Sequence, residues 1–176
     1  MSSDATTERR RPTLVVGLGN PILGDDGVGW RIVDALETRL AGDHLARGVR
    51  ADVELDRVAL GGLSLMERLV GYDRVILVDA LLGPAIEGTL TVGSLAETAF
   101  RLAGHLDSAH DAPLTEALAA GRALGAHLPE DITVVGVAVR RVDVFDERLS
   151  APVAGAVGPA VSAILAQLDR QPIAVA

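Results

Sequence analysis

The 176-residue chain contains no cysteine, which removes thiolate zinc centres, disulfides and a cysteine nucleophile at once and leaves the redox compartment unconstrained. Aromatic residues are almost as scarce, at 2% of the chain. Few anchors are then available for a permanent protein interface, so a monomer with transient contacts is expected. Positive charge is in deficit too, with 16 Lys plus Arg against 24 Asp plus Glu and a formal net charge of -8. That balance opposes a broad phosphate-binding surface and makes nucleic acid a poor partner. No long apolar run follows the polar stretch MSSDATTERRRP, so neither a signal peptide nor a membrane span is expected there. Residues 1–12 read as a frayed tail, residues 13–170 as one domain, and the whole as a cytoplasmic protein.

What is present alternates between two hydrophobic periods. Apolar runs at Thr13 to Gly17, Arg74 to Val78 and Ile132 to Val137 predict buried strands, while the alternation of Ala51 to Val58 predicts a strand with one solvated face or an edge position. Helical spacing marks Val28 to Leu40, Leu63 to Val70, Leu114 to Leu124 and Pro152 to Leu168. Gly88 to Val92 predicts a further strand running against the others, and Gly93 to Ala112 a looser stretch. Alternating β and α elements of this kind imply a three-layer α/β sandwich around a twisted, mostly parallel sheet of about five strands.

The most informative segment is VVGLGNPILGDDGVGWR, residues 15 to 31, where a strand runs into a glycine-rich loop and then into a helix. Gly17, Gly19, Gly24, Gly27 and Gly29 permit sharp turns, and Asn20 with Pro21 supplies turn chemistry. Asp25 and Asp26 before the helix have a plain structural explanation as acidic capping residues. Capping, however, needs one carboxylate and no glycine cluster. The alternative is a ligand or metal site beyond the carboxyl end of a parallel strand, where open α/β sheets bind.

Asp79 closes another predicted strand. If the two strands are neighbours, Asp26 and Asp79 converge on one crevice, and such a pair needs a cation or a shared proton. A histidine would complete a mixed oxygen and nitrogen set suited to nickel, zinc or another borderline divalent metal. His110, in SAHDAPL before a predicted helix, is the best placed of the four histidines, because His44 and His127 fall near helix ends with no partner pattern. Each residue alone also has an ordinary reading as a capping, surface or turn residue. The combination is what points to a site. Other chemistries find little support: there is no GxSxG elbow, no HExxH, no P-loop lysine, and Ile22 stands where the dinucleotide fingerprint needs its third glycine.

The succession GLGNPILGDDGVGWR, VILVDA and SAHDAPL resembles that of the hydrogenase maturation proteases, from Leu14 to about Leu168. These endopeptidases, of aspartic type by family classification, trim the C-terminal extension from the large-subunit precursor of [NiFe]-hydrogenases. The resemblance implies a phosphorylase/hydrolase-like α/β/α sandwich, with Asp26, Asp79 and His110 as the metal-contacting and catalytic positions. It implies as well that the metal is the nickel already in the precursor, so that no permanently bound cofactor is expected. Asp25 is a candidate supporting or base residue because it adjoins Asp26. Three stretches depart from the family pattern, one being Ala112 and Pro113 in the histidine segment, where a common version has other small residues. Leu60, Gly61, Gly62 and Leu63 stand where many members carry an Asp-Gly-Gly-Thr type sequence, and Gly136, Val137 and Ala138 lack the acid or amide that often comes next in relatives. The departure at Leu60 and Leu63 keeps a second reading open, a nickel-precursor docking module of the same fold without cleavage. A third, peptidyl-tRNA hydrolase, shares the opening VGLGNP but not the tyrosine and Thr-Arg-His-Asn stretch of those enzymes, and the acidic balance suits tRNA badly.

Overall fold

The computed structural model describes residues 13–42, 52–98 and 113–170. Strand β1 (Thr13–Leu18) leads through a single 3-10 turn (Gly24–Gly27) into helix α1 (Val28–Gly42). Next come β2 (Val53–Val58), α2 (Gly62–Arg68), β3 (Arg74–Leu82), β4 (Leu90–Ser94) and the short α3 (Leu95–Thr98). Helix α4 (Leu114–Ala123), β5 (Asp131–Val139) and α5 (Ala151–Leu168) complete the chain. The five strands form one sheet in the order β2-β1-β3-β5-β4, all parallel except β4, which runs against β5. This is the mostly parallel, five-stranded α/β sandwich that the alternating periods implied.

Two apolar layers hold it together, one on each face of the sheet. On one, Leu65, Met66, Leu114 and Leu118 of α2 and α4 pack on Leu14, Val16, Val75 and Leu77. On the other, Ile32, Val33 and Leu36 of α1 and Val153, Ala160 and Ile164 of α5 pack on Val15, Ile76, Val135 and Val137. Successive residues of each central strand therefore feed opposite layers, which is why those strands read as unbroken apolar runs. Helix α5 is, among the described residues, long and apolar enough by composition to cross a membrane, and its apolar stripe is spent on this second layer. Its C-terminal carbonyls are met by the buried Arg74, which donates to Gln167 O at 2.7 Å and Arg170 O at 3.1 Å.

β2 is an edge strand, as its alternation suggested. Its charges are taken up by the flanking helices: Arg68 of α2 bonds Glu54 and Asp56, and Arg57 reaches Asp34 and Glu37 of α1. β3 corrects the sequence reading, because it does not stop at Asp79. β5 offers backbone partners as far as the pair Leu82↔Val139, so the strand continues for three residues beyond the carboxylate. A helical turn, α3, also forms inside the stretch expected to be loose, held by Thr98 Oγ1 donating to Ser94 O at 2.7 Å.

Candidate active site

From β1 the chain crosses through α1 to β2 on one side; from β2 it returns through α2 on the opposite face to β3 on the other side of β1. The crossovers thus diverge between β1 and β3, and that divergence opens a crevice at the carboxyl ends of these two strands. Asp26 and Asp79 belong to it. The pairing of β1 with β3 ends at Gly17↔Val78, so Asp79 is the first residue of β3 beyond its β1 partner while still opposite Gly136 of β5. Toward β1 it lies at a strand end, and toward β5 it lies within the sheet.

Asp26 lies in the glycine-rich loop that leaves the carboxyl end of β1. Asn20 organises the loop by accepting from Ile22 N through its side chain (3.2 Å) and from Leu23 N through its carbonyl (3.0 Å), the geometry of an Asx turn. Asn20 N then donates back to Asp26 Oδ2 at 2.7 Å, which fixes the carboxylate. Two glycines are dictated by space. At Gly19, with φ of +122°, a Cβ would overlap the carbonyl of Asp26. At Gly29 a Cβ would run into the carbonyl oxygens of both Leu18 and Val78, so α1 begins directly on the ends of β1 and β3.

Both carboxylates lie below the surface, Asp26 at 2% exposure and Asp79 at 0%. Asp79 Oδ1 accepts from Ala80 N at 2.7 Å. His110, the third expected ligand, lies outside the described residues, as does the preceding part of SAHDAPL. Among the described residues no group of three His, Asp or Glu side chains has metal-holding geometry. His127 is no substitute: it precedes β5 at the amino end of the sheet, where its Nε2 meets Asp73 at 2.8 Å.

Asp25 points elsewhere. Its Oδ1 accepts from the backbone N–H of Ser150 at 2.7 Å, and Ser150 is the N-cap residue of α5. The side chain therefore caps a helix, although not the adjacent α1, and it does so from 125 positions away.

Beside it lies a feature that the sequence reading passed over. Residues 140–149, between β5 and α5, fold against the glycine-rich loop through a parallel bridge of Leu23 with Asp146, made by Gly24 N donating to Asp146 O (2.6 Å) and Asp146 N donating to Ile22 O (3.2 Å). A cavity of about 480 Å³ opens here, with Asp25, Glu87, Arg140, Val144 and Ser150 among its walls. The charged run RRVDVFDER after a strand end was the available signal, since that end of the sheet is where sites form.

The departures from the family pattern also take on a location. Leu60 and Leu63 are exposed at the carboxyl end of β2, flanking Gly61, the N-cap of α2. Gly136 faces Asp79 across the sheet, and a Cβ there would run into the side chain of Leu81.

A family model described as hydrogenase maturation protease (HycI) matches residues 50–167. The hydrogenase expression/formation protein HupD of Rhizobium leguminosarum bv. viciae is 28% identical over 162 residues, which are 92% of this chain and 76% of that protein. The hydrogenase 2 maturation protease of Escherichia coli K12 is 29% identical over 157 residues, 88% of this chain and 89% of that one. In three dimensions, the hydrogenase maturating endopeptidase HybD from E. coli superposes with a TM-score of 0.68 at 26% identity, covering 89% of this chain and 91% of the other. The solution structure of an endopeptidase from the same species gives 0.70 at 28% identity with the same coverage.

Proposed function

The chain belongs to the hydrogenase maturation protease family, and from that premise we propose that it is the endopeptidase that removes the C-terminal extension from a nickel-loaded [NiFe]-hydrogenase large-subunit precursor. The observation that supports the reading is the burial of two acids where the crossovers of β1 and β3 diverge, Asp26 in the loop after β1 and Asp79 one residue past the end of the β1–β3 pairing. Family membership sets aside the peptidyl-tRNA hydrolase alternative.

In this reading nickel arrives as part of the substrate, and the protein holds no cofactor of its own. Asp26 and Asp79 supply oxygen ligands and His110 a nitrogen, a set that suits nickel among divalent metals. Burial sharpens the selection, because paired carboxylates in a low-dielectric crevice reward a cation far more than exposed ones do. A precursor without metal offers them nothing, so it is not held. Once the loaded precursor is docked, hydrolysis needs a polarised carbonyl and an activated water, and metal-assisted polarisation and carboxylate base catalysis are the two ways to supply them. The protein acts in the cytoplasm, as a monomer, without membrane or nucleic acid partners.

The test replaces Asp79 by Asn, which keeps the shape and removes the charge. Processing of nickel-loaded precursor, followed by intact mass, is expected to fall at least 100-fold while the thermal melt of the protease moves by only a few degrees. Processing at the wild-type rate would overturn the assignment of Asp79. The docking-module reading draws on Leu60 and Leu63 at the start of α2; it predicts that wild-type protein binds loaded precursor and leaves its mass unchanged.

A further inference from the structure

Phe145 is one of only two phenylalanines in the chain, and its side chain is 82% exposed. An exposed aromatic in a slack loop would mean little, but this loop is tied down on every side. Asp146 is bridged to the glycine-rich loop through both its N–H and its carbonyl. Arg31 of α1 donates to Glu147 O at 3.0 Å, and Ser150 is held by Asp25. The backbone thus spends four hydrogen bonds on fixing a segment that turns its largest apolar side chain to water.

Two further apolar side chains share the display. Val144 precedes Phe145 and is 40% exposed; Ile22, whose carbonyl receives Asp146 N, is 48% exposed. Ile86, which precedes the cavity-lining Glu87 in the β3–β4 connection, is exposed as well. The three arginines of the same loop are matched within the chain: Arg141 with Asp143, Arg148 with Asp146, Arg140 with Glu87. No arginine of the loop is left over to attract an anion. What remains unsatisfied is apolar surface.

We propose that Ile22, Val144 and Phe145 form a docking platform for an apolar segment of the protein substrate next to its cleaved tail. The identity of the occupant comes from continuity with the crevice. The bonds that hold the segment in place run from Asp146, next to Phe145, to Ile22 and Gly24 in the same loop as Asp26, so the platform adjoins the loop that the proposed site uses. The platform is rigid before binding, which spares the complex the cost of ordering a loop. This inference rests on the protease reading for the identity of the substrate, and it adds where that substrate is gripped.

The test uses full-length protease and the nickel-loaded large-subunit precursor of the same organism, with binding and cleavage measured separately. Phe145→Ser and Ile22→Ser, both at exposed positions, are expected to weaken precursor binding about tenfold each and to raise KM correspondingly with kcat preserved. Leu124→Ser, at an 88% exposed leucine beyond α4 at the opposite end of the sheet, should change neither. A photo-crosslinking residue at position 145 should capture the precursor, and one at position 124 should not. Wild-type KM and affinity in both platform variants would overturn the platform while leaving the protease intact. Platform-dependent binding with no cleavage by wild type would overturn the protease reading and support the platform. Absence of both binding and cleavage by wild type would overturn both.

Discussion

Asp25 Oδ1 lies 2.7 Å from the backbone nitrogen of Ser150, so the first acid of the Asp-Asp pair caps the last helix of the domain. The two adjacent acids make separate contacts: Asp26 accepts from Asn20 N within the glycine-rich loop, and Asp25 secures α5. Asp25→Ala should therefore cost about 1 kcal/mol of stability, as the loss of a cap does, with kcat for precursor processing within twofold of wild type. Urea denaturation and a processing assay on the same preparation check both halves. A large loss of kcat with unchanged stability would make Asp25 a reacting group.

The glycine-rich loop was legible in the sequence because its logic is local: Asn20, the glycines and the acids lie close together along the chain and carry their turn chemistry with them. The neighbour relation of β1 and β3, on which the convergence of Asp26 and Asp79 depends, was a condition in the sequence and becomes a fact in the sheet order. The end of β3 was misplaced because an acid in an apolar run looks like a stop. Only the partner strand β5, with Gly136 opposite Asp79, shows why the ladder continues. The partner of Asp25 and the anchoring of Phe145 were out of reach for another reason. Both depend on contacts more than 100 residues apart, which no local pattern encodes.

Gly29 is where α1 touches the ends of β1 and β3, and a methyl group there meets two carbonyl oxygens that belong to the sheet. Neither oxygen can withdraw without breaking strand geometry. Gly29→Ala is thus expected to destabilise the domain by about 2 kcal/mol and to shift the loop that holds Asp26, reducing processing more than tenfold. Gly155→Ala, at an α5 glycine whose added methyl meets nothing within 4 Å, is the matched control and should leave activity unchanged.

The edge of the sheet carries a pH-dependent contribution. Hydrogen bonding from Tyr72, and then from Arg68, holds the Glu54 carboxyl below its ordinary range. A depressed carboxyl stabilises the fold at pH values above its unfolded pKa, about 4.3, and loses that contribution as pH falls through the lower folded value. Tyr72→Phe should therefore cost about 0.5 kcal/mol at pH 7, Glu54 being largely exposed, and the difference from wild type should shrink as the pH drops below about 4. Denaturation midpoints of the two proteins measured from pH 7 to pH 3 give the comparison; a gap that stays constant or widens toward acid would exclude the carboxylate as its source.

Above these local tests stands the proposal that Asp26 and Asp79 read nickel in the precursor. Intact-mass spectrometry of the large-subunit precursor, prepared with and without nickel and incubated with the wild-type protein, addresses it in one experiment. Loss of a C-terminal peptide from the loaded form alone is the predicted result. Equal trimming of both forms would show that the crevice does not sense the metal, and an unchanged mass in both would show that the chain is no endopeptidase for this substrate.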